Sequence, residues 1–343
     1  MLRTLCTIFA ILVAGLVVSQ PPFFRLQGSI ETSAAANLHC IFFDREGLLW
    51  MGTDAGLQSF DGYRTRCFRT DAYSPDVLPN NTVLCMAEDR DGGLWAGTYD
   101  GLVRLDKRTG RFRTYRLPGY WQRIINTLFC SSDGTVWVGT DMGLARYDKE
   151  KDTFHTYSPE NVRATDLRGH PVAMPSYSVK SIVEDRRGEL YVGTWSSGLF
   201  RFNPRTGIFV RYPRHNDMDS AFSLFIDSRG RLWIGTWGRG IERIDHPLEA
   251  DSLGWKSFAC DKRAFNIYYK LVEDTVSHTL WACSREGVSI LDLEDENAGF
   301  THLEYLDEER QEPLYASNDL ACSGDGHIWI ATQDRGIKHL NTR

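Results

Sequence analysis

The hydrophobic pattern repeats one phrase from end to end. A short run of apolar or alternating residues stops at an Asp-x-x-Gly turn, as in Val83 to Ala87 before Asp89 to Gly92, and Ser223 to Ile226 before Asp227 to Gly230. In such a turn the aspartate accepts a bond from the backbone just ahead and the glycine supplies a positive φ, so the chain reverses tightly. A second run built on Leu-Trp-x-Gly-Thr follows, then a short turn closing on Gly56, Gly101, Gly143, Gly198, Gly240, Gly287 or Gly336. The third run alternates, as in Leu102-Val103-Arg104-Leu105-Asp106. A Lys-Arg-Thr-Gly turn at 107–110 then leads to Phe112-Arg113-Thr114-Tyr115. Period-two patterning between turn residues predicts four antiparallel strands per unit.

The central aromatic recurs as Trp50, Trp95, Trp137, Tyr191, Trp233, Trp281 and Trp329, at separations of 45, 42, 54, 42, 48 and 48 residues. Five copies continue into Gly-Thr, and the last two read Cys283-Ser284 and Ala331-Thr332. Four-stranded units at this period are propeller blades. The expected fold is all-β: a seven-bladed β-propeller over residues 20–343. The seventh unit stops after its third strand, Ile337 to Leu340, while Phe23-Phe24-Arg25-Leu26 precedes the first unit and matches the fourth-strand phrase. The N-terminal strand is therefore expected to complete the last blade and cover edges that would otherwise stay open. The repeated tryptophans, beside a glycine that lets neighbouring blades approach, are expected to be packing residues.

Strand direction assigns the loops to two faces. Turns between first and second strands, and between third and fourth, share one face and are short, apart from a longer third-to-fourth turn in unit five. The other face collects the second-to-third turns and the long connections between units, among them 70–80, 116–123, 158–177, 213–220, 261–265 and 304–317. Binding residues concentrate on variable loops over a rigid scaffold, so this is the candidate binding face. Its candidate ligand-binding residues are Tyr99, Asp100, Trp121, Asp141, Tyr177, Trp195, Trp237, Arg239 and Arg285, with Asp54, Tyr73, Tyr120, Met142, His215 and Arg335 nearby. Aromatic faces beside Asp and Arg suit a sugar, whose C–H face packs on a ring while its hydroxyls seek donors and acceptors.

A hydrophobic fraction of 42% supports a substantial core, which argues against disorder. Net charge of −6 without a Lys/Arg cluster argues against a nucleic-acid partner. Arg3, the apolar stretch Leu5 to Val18 and Ser19 read as an export signal over residues 1–19, shorter than a membrane span, which places the mature chain in the periplasm. Cys40 and Cys85 each stand ten residues before their tryptophan, equivalent first-strand positions that suit small buried side chains. The nine histidines show no metal-ligand spacing, and no cofactor or metal is expected. His215 with Asp217 or Asp219 is the only loop cluster with acid–base potential.

Asp44-Arg45-Glu46-Gly47-Leu48-Leu49-Trp50-Met51-Gly52-Thr53, then Gly56-Leu57 and Phe60-Asp61-Gly62-Tyr63, together with Asp89 through Asp106, resemble the two-component regulator propeller repeat. That repeat belongs to the extracytoplasmic sensor regions of Bacteroides-type hybrid two-component systems. The resemblance spans nearly all of the chain after residue 19 and implies a first sensor propeller. In that family a second propeller, an immunoglobulin-like domain, a membrane helix, a histidine kinase and a DNA-binding regulator follow. It implies sensing of oligosaccharides, with kinase domains or a second propeller as partners. No phosphoacceptor-histidine helix or glycine-rich ATP site is present in this sequence, so kinase activity is not expected of these residues. The leading expectation is a non-catalytic ligand-binding sensor module. A propeller-fold polysaccharide lyase or hydrolase and a protein-interaction scaffold are the alternatives, because fold does not fix chemistry.

Overall fold

The computed structural model describes residues 25–30, 37–71, 77–119, 121–173, 177–213, 220–249, 253–258, 266–295, 297, 299–303, 305–307, 312–313, 316–323, 325–333 and 335–343. The export signal assigned to residues 1–19 lies outside them, as do Phe23, Phe24, Tyr73, Tyr120, His215, Asp217 and Asp219. No helix among the described residues is long and apolar enough to cross a membrane.

The strands assemble into seven sheets of four or five strands, one per repeat. In blade 2, Val83–Glu88, Leu94–Thr98, Gly101–Asp106 and Arg111–Tyr115 pair antiparallel in that order. The innermost strands are Leu38–Phe43, Val83–Glu88, Ile125–Cys130, Val179–Glu184, Ser223–Ile226, Tyr268–Asp274 and Ser317–Cys322. Each packs against the innermost strand of the next blade, and the last packs against the first, so the sheets form a closed ring. Across the seam Ile41 donates its N–H to Asp319 Oδ2 at 2.9 Å, and Asn318 donates its side-chain amide to Leu38 O at 2.7 Å. Blade 7 takes its fourth strand from Arg25–Ile30, antiparallel to Ile337–Asn341.

Blades adhere through the second strand. Trp50, Trp95, Trp137, Tyr191, Trp233 and Trp281 are buried, and Trp329 is half-buried and stacked on His339. The glycine after the aromatic admits the neighbouring blade. A Cβ at Gly97 would lie 2.4 Å from Ile125 Cγ2, and one at Gly193 would lie 2.4 Å from the carbonyl oxygen of Ala221. Close backbone approach, rather than backbone freedom, is what these positions require.

Three features depart from the regular phrase. The connection 158–177 is not simply a loop, because Arg163–Asp166 adds a fifth strand parallel to Ile208–Arg211 on the outer edge of blade 4. Inside 304–317, Tyr305–Asp307 pairs with Glu312–Pro313. In blade 6, His278 stands where the other turns have glycine and adopts φ 54° itself.

Candidate functional site

Two local devices shape the predicted binding face. The first is the hydroxyl that ends the second strand. Thr53, Thr98, Thr140, Thr194, Thr236, Ser284 and Thr332 each donate to the carbonyl of the glycine closing the following turn. Each turn is thereby pinned, so the side chains it carries stand at fixed places above the sheet.

The second device is a β-bulge near the start of the innermost strand. Pairing shifts register between Leu38 and Cys40, Val83 and Cys85, Ile125 and Thr127, Val179 and Ser181, Tyr268 and Lys270, and Ser317 and Asp319. The extra residues are His39, Leu84, Asn126, Lys180, Tyr269 and Asn318, and Phe222 holds the same place in blade 5. All seven are half-buried, one per blade. A bulge re-aims a side chain that regular pairing would have placed on the sheet face. Around the ring the polar members are His39, Asn126, Lys180 and Asn318, while Leu84, Phe222 and Tyr269 are apolar or aromatic. Burial lowers the His39 pKa, opposed by Asp54.

Where the ring meets the turns of blades 3 to 5, a groove of about 550 Å³ opens. Its lining comes from Trp121, Asp141, Met142, Ser178, Lys180, Trp195, Phe222 and Trp237. Trp195 and Trp237 are 39% and 41% exposed and meet edge to face at 4.9 Å. Phe222 lies 5.9 and 5.4 Å from them, and Tyr269 extends the cluster from blade 6. Trp121, at the start of the short helix Trp121–Arg123, is 56% exposed. Packing the rings against one another leaves their outer faces open to solvent while fixing their orientation.

At the polar end, Asp141 Oδ1 accepts from Asn126 Nδ2 at 2.8 Å, Ser178 Oγ at 2.7 Å and Lys180 Nζ at 3.3 Å. Lys180 also donates to Asn126 Oδ1 at 3.0 Å, which ties blade 4 to blade 3. Burial opposes ionisation of Asp141, but the bonds from Asn126 and Ser178 and the Lys180 ammonium outweigh it, so its carboxyl titrates below the ordinary value.

Of the sequence candidates, the groove gathers Trp121, Asp141, Trp195 and Trp237, plus Met142. Tyr99 is exposed on the blade 2 turn, and Asp100 beside it faces Arg116 Nε at 3.2 Å and Arg123 Nη1 at 3.6 Å. Neither lines the groove. Arg239 and Arg285 are exposed on the turns of blades 5 and 6, outside it as well. Tyr177 is a correction. It is 1% exposed, packs on Phe200 and Phe209 and donates its hydroxyl to Tyr157 O at 2.7 Å, so it seals blade 4 instead of facing a ligand. Sequence reasoning missed Lys180, Phe222, Ser178 and Asn126. Ring position was the available signal: in six repeats the bulged residue stands eleven places before the aromatic, and in the sixth twelve.

Comparison with known proteins adds to this geometry. Residues 77–100, 173–196 and 217–238 match the family described as two component regulator propeller. These matched segments fall in blades 2, 4 and 5. The regulator-propeller matches each run through the first two strands and end on the turn carrying Asp100, Trp195 or Trp237. Among solved structures, the extracellular domain of the hybrid two component system BT3049 from B. thetaiotaomicron is 20% identical with a TM-score of 0.74; the alignment covers 94% of this chain and 42% of that one. The corresponding domain of BT4673 from the same organism is 24% identical with a TM-score of 0.72, over 91% and 39%. Virginiamycin B lyase from Staphylococcus aureus is 14% identical with a TM-score of 0.71, over 93% and 99%. At these identities the likeness is one of fold. The chain spans about two fifths of the length of the two sensor domains. No curated protein matches it by sequence.

Proposed function

We propose that this chain is the ligand-binding propeller of an extracytoplasmic two-component sensor, that it recognises an oligosaccharide, and that it performs no catalysis itself. The groove between blades 3 and 5 carries the reading. It sets open tryptophan faces beside an ionised carboxylate with fixed partners, the combination that a sugar's apolar face and hydroxyls require. The regulator-propeller repeat and the fold shared with two Bacteroides sensor domains support a signalling role and a periplasmic place. A kinase, directly or through a second propeller, is the partner this role needs.

Calorimetric titration of the protein with an oligosaccharide library tests this directly. Binding by at least one sugar, weakened about tenfold by Trp195→Ala or Trp237→Ala, is the expected result. Silence across the library, or release of shortened or unsaturated products, would overturn it.

A further inference from the structure

The two oxygens of Asp141 are unequal. All three of its bonds, from Asn126, Ser178 and Lys180, converge on Oδ1. Oδ2 takes no bond from the described residues and is not among their buried unpartnered atoms, and the side chain is 25% exposed and lines the groove. A carboxylate so arranged has one oxygen locked into the protein and one acceptor offered outward.

Charge narrows what that acceptor takes. Lys180 lies 3.3 Å from Oδ1, so the pair is formally neutral, and Oδ2 is the carboxylate oxygen left without a bond from the described residues. An incoming carboxylate or sulfate would set like charges a few ångströms apart; among the described lining residues the one basic group is Lys180, whose charge is already paired with Asp141 and which spends two of its three N–H donors on Asp141 and Asn126. A hydroxyl, by contrast, donates to Oδ2 with a charge-assisted bond. The rest of the lining is Trp121, Met142, Trp195, Phe222 and Trp237, which asks for an apolar ring face.

Resting on the oligosaccharide reading, we infer that the groove selects an uncharged sugar unit, donating a hydroxyl to Asp141 Oδ2 while its C–H face rests on Trp195 and Trp237, and that it discriminates against uronic-acid and sulfated sugars. Asn126, Ser178 and Lys180 are positioning residues that aim the carboxylate.

Matched neutral and acidic oligosaccharides, the acidic ones uronate-bearing or sulfated, separate this claim from its parent. Calorimetry is expected to show the best neutral ligand bound at least about tenfold more tightly than its acidic counterpart. Asp141→Asn should weaken the neutral ligand about tenfold or more and shrink that ratio. Ser178→Ala, which removes one of the three bonds to Oδ1, should weaken it less while leaving the ratio in place. Equal or tighter binding of acidic sugars by the unmodified protein overturns the inference and leaves the sensor reading standing. So does an unchanged ratio in a folded Asp141→Asn protein. Failure of both classes to bind overturns the parent reading and this one with it. Because the first comparison needs no substitution, misfolding of a variant does not shield the claim.

Discussion

Trp95 donates its indole N–H to Asp89 Oδ2 at 2.8 Å, six residues back across the turn that joins the first two strands of blade 2. The same carboxylate closes the turn itself, since Oδ1 accepts from the backbone N–H of Asp91 and Gly93 at 3.0 and 2.9 Å. Asp44 with Trp50 and Asp227 with Trp233 repeat the bond at 2.9 and 2.8 Å. Blades 3 and 6 keep the indole satisfied by other means, from Ser131 Oγ and Thr279 Oγ1. One side chain thus links the turn motif to the core aromatic, which is why the two recur at fixed spacing.

Replacing Asp89 with alanine leaves a buried indole N–H without its acceptor and removes the partner of Arg104 Nε at 2.6 Å. A loss of about 2–3 kcal/mol is expected for such a charged, buried acceptor. Urea unfolding monitored by tryptophan fluorescence checks it. A loss below about 0.5 kcal/mol would mean that water replaces the bond without cost.

Acid should destabilise the ring. Burial opposes ionisation at Asp44 and Asp89, but bonds from the tryptophans, from Lys107 or Arg104 and from the backbone outweigh it and hold both carboxyls below the ordinary value. A depressed folded pKa contributes stability that is present above the unfolded pKa of about 4 and disappears as pH falls through the folded pKa. The melting temperature is expected to hold from pH 7 to about pH 5 and to drop below about pH 4, by less in Asp89→Ala. An acid limb identical in that variant would remove Asp89 from the explanation.

The glycines after the aromatics differ in what they face. A Cβ at Gly193 meets a backbone oxygen at 2.4 Å, whereas one at Gly235 meets Tyr268 Cβ at 3.0 Å. Gly193→Ala should therefore cost more than Gly235→Ala, by about 1–3 kcal/mol, because the Gly193 overlap forces the neighbouring backbone to move, whereas the atoms around Gly235, Tyr268 Cβ and its carbonyl oxygen among them, need give only a few tenths of an ångström. Equal melting temperatures for the two variants would contradict this.

Removing residues before 31 strips the strand paired with Ile337–Asn341 and leaves that edge open. The melting temperature is expected to fall by at least about 5 °C, or the protein to dimerise by exchanging edges, read by scanning calorimetry and light scattering. A monomer of unaltered stability would show that the seventh blade does not depend on the strand.

The blade count and the strand order were legible because Asp89, Trp95, Gly97 and Thr98 each do one structural job that tolerates few replacements. That Trp121, Asp141, Trp195 and Trp237 gather around one groove follows from their places on the turns and connections of one face. Tyr177 was misread because a tyrosine ahead of a first strand can turn outward or dock inward, and the pocket beside Phe200 and Phe209 decides that only in three dimensions. Lys180 and Phe222 escaped notice because a bulge moves a residue off the face its alternation implies. Arg163–Asp166 was hidden by parallel pairing with a strand from the following repeat unit, a partner that local pattern does not announce.

Hydrogen–deuterium exchange on the protein with and without a neutral oligosaccharide ligand tests the central claim most directly. Protection is expected to concentrate in 121–123, 140–143, 178–182, 194–198 and 236–240, the segments that build the groove. Protection centred on the opposite face, at the Asp44 to Leu48 and Asp89 to Gly93 turns, would contradict the account.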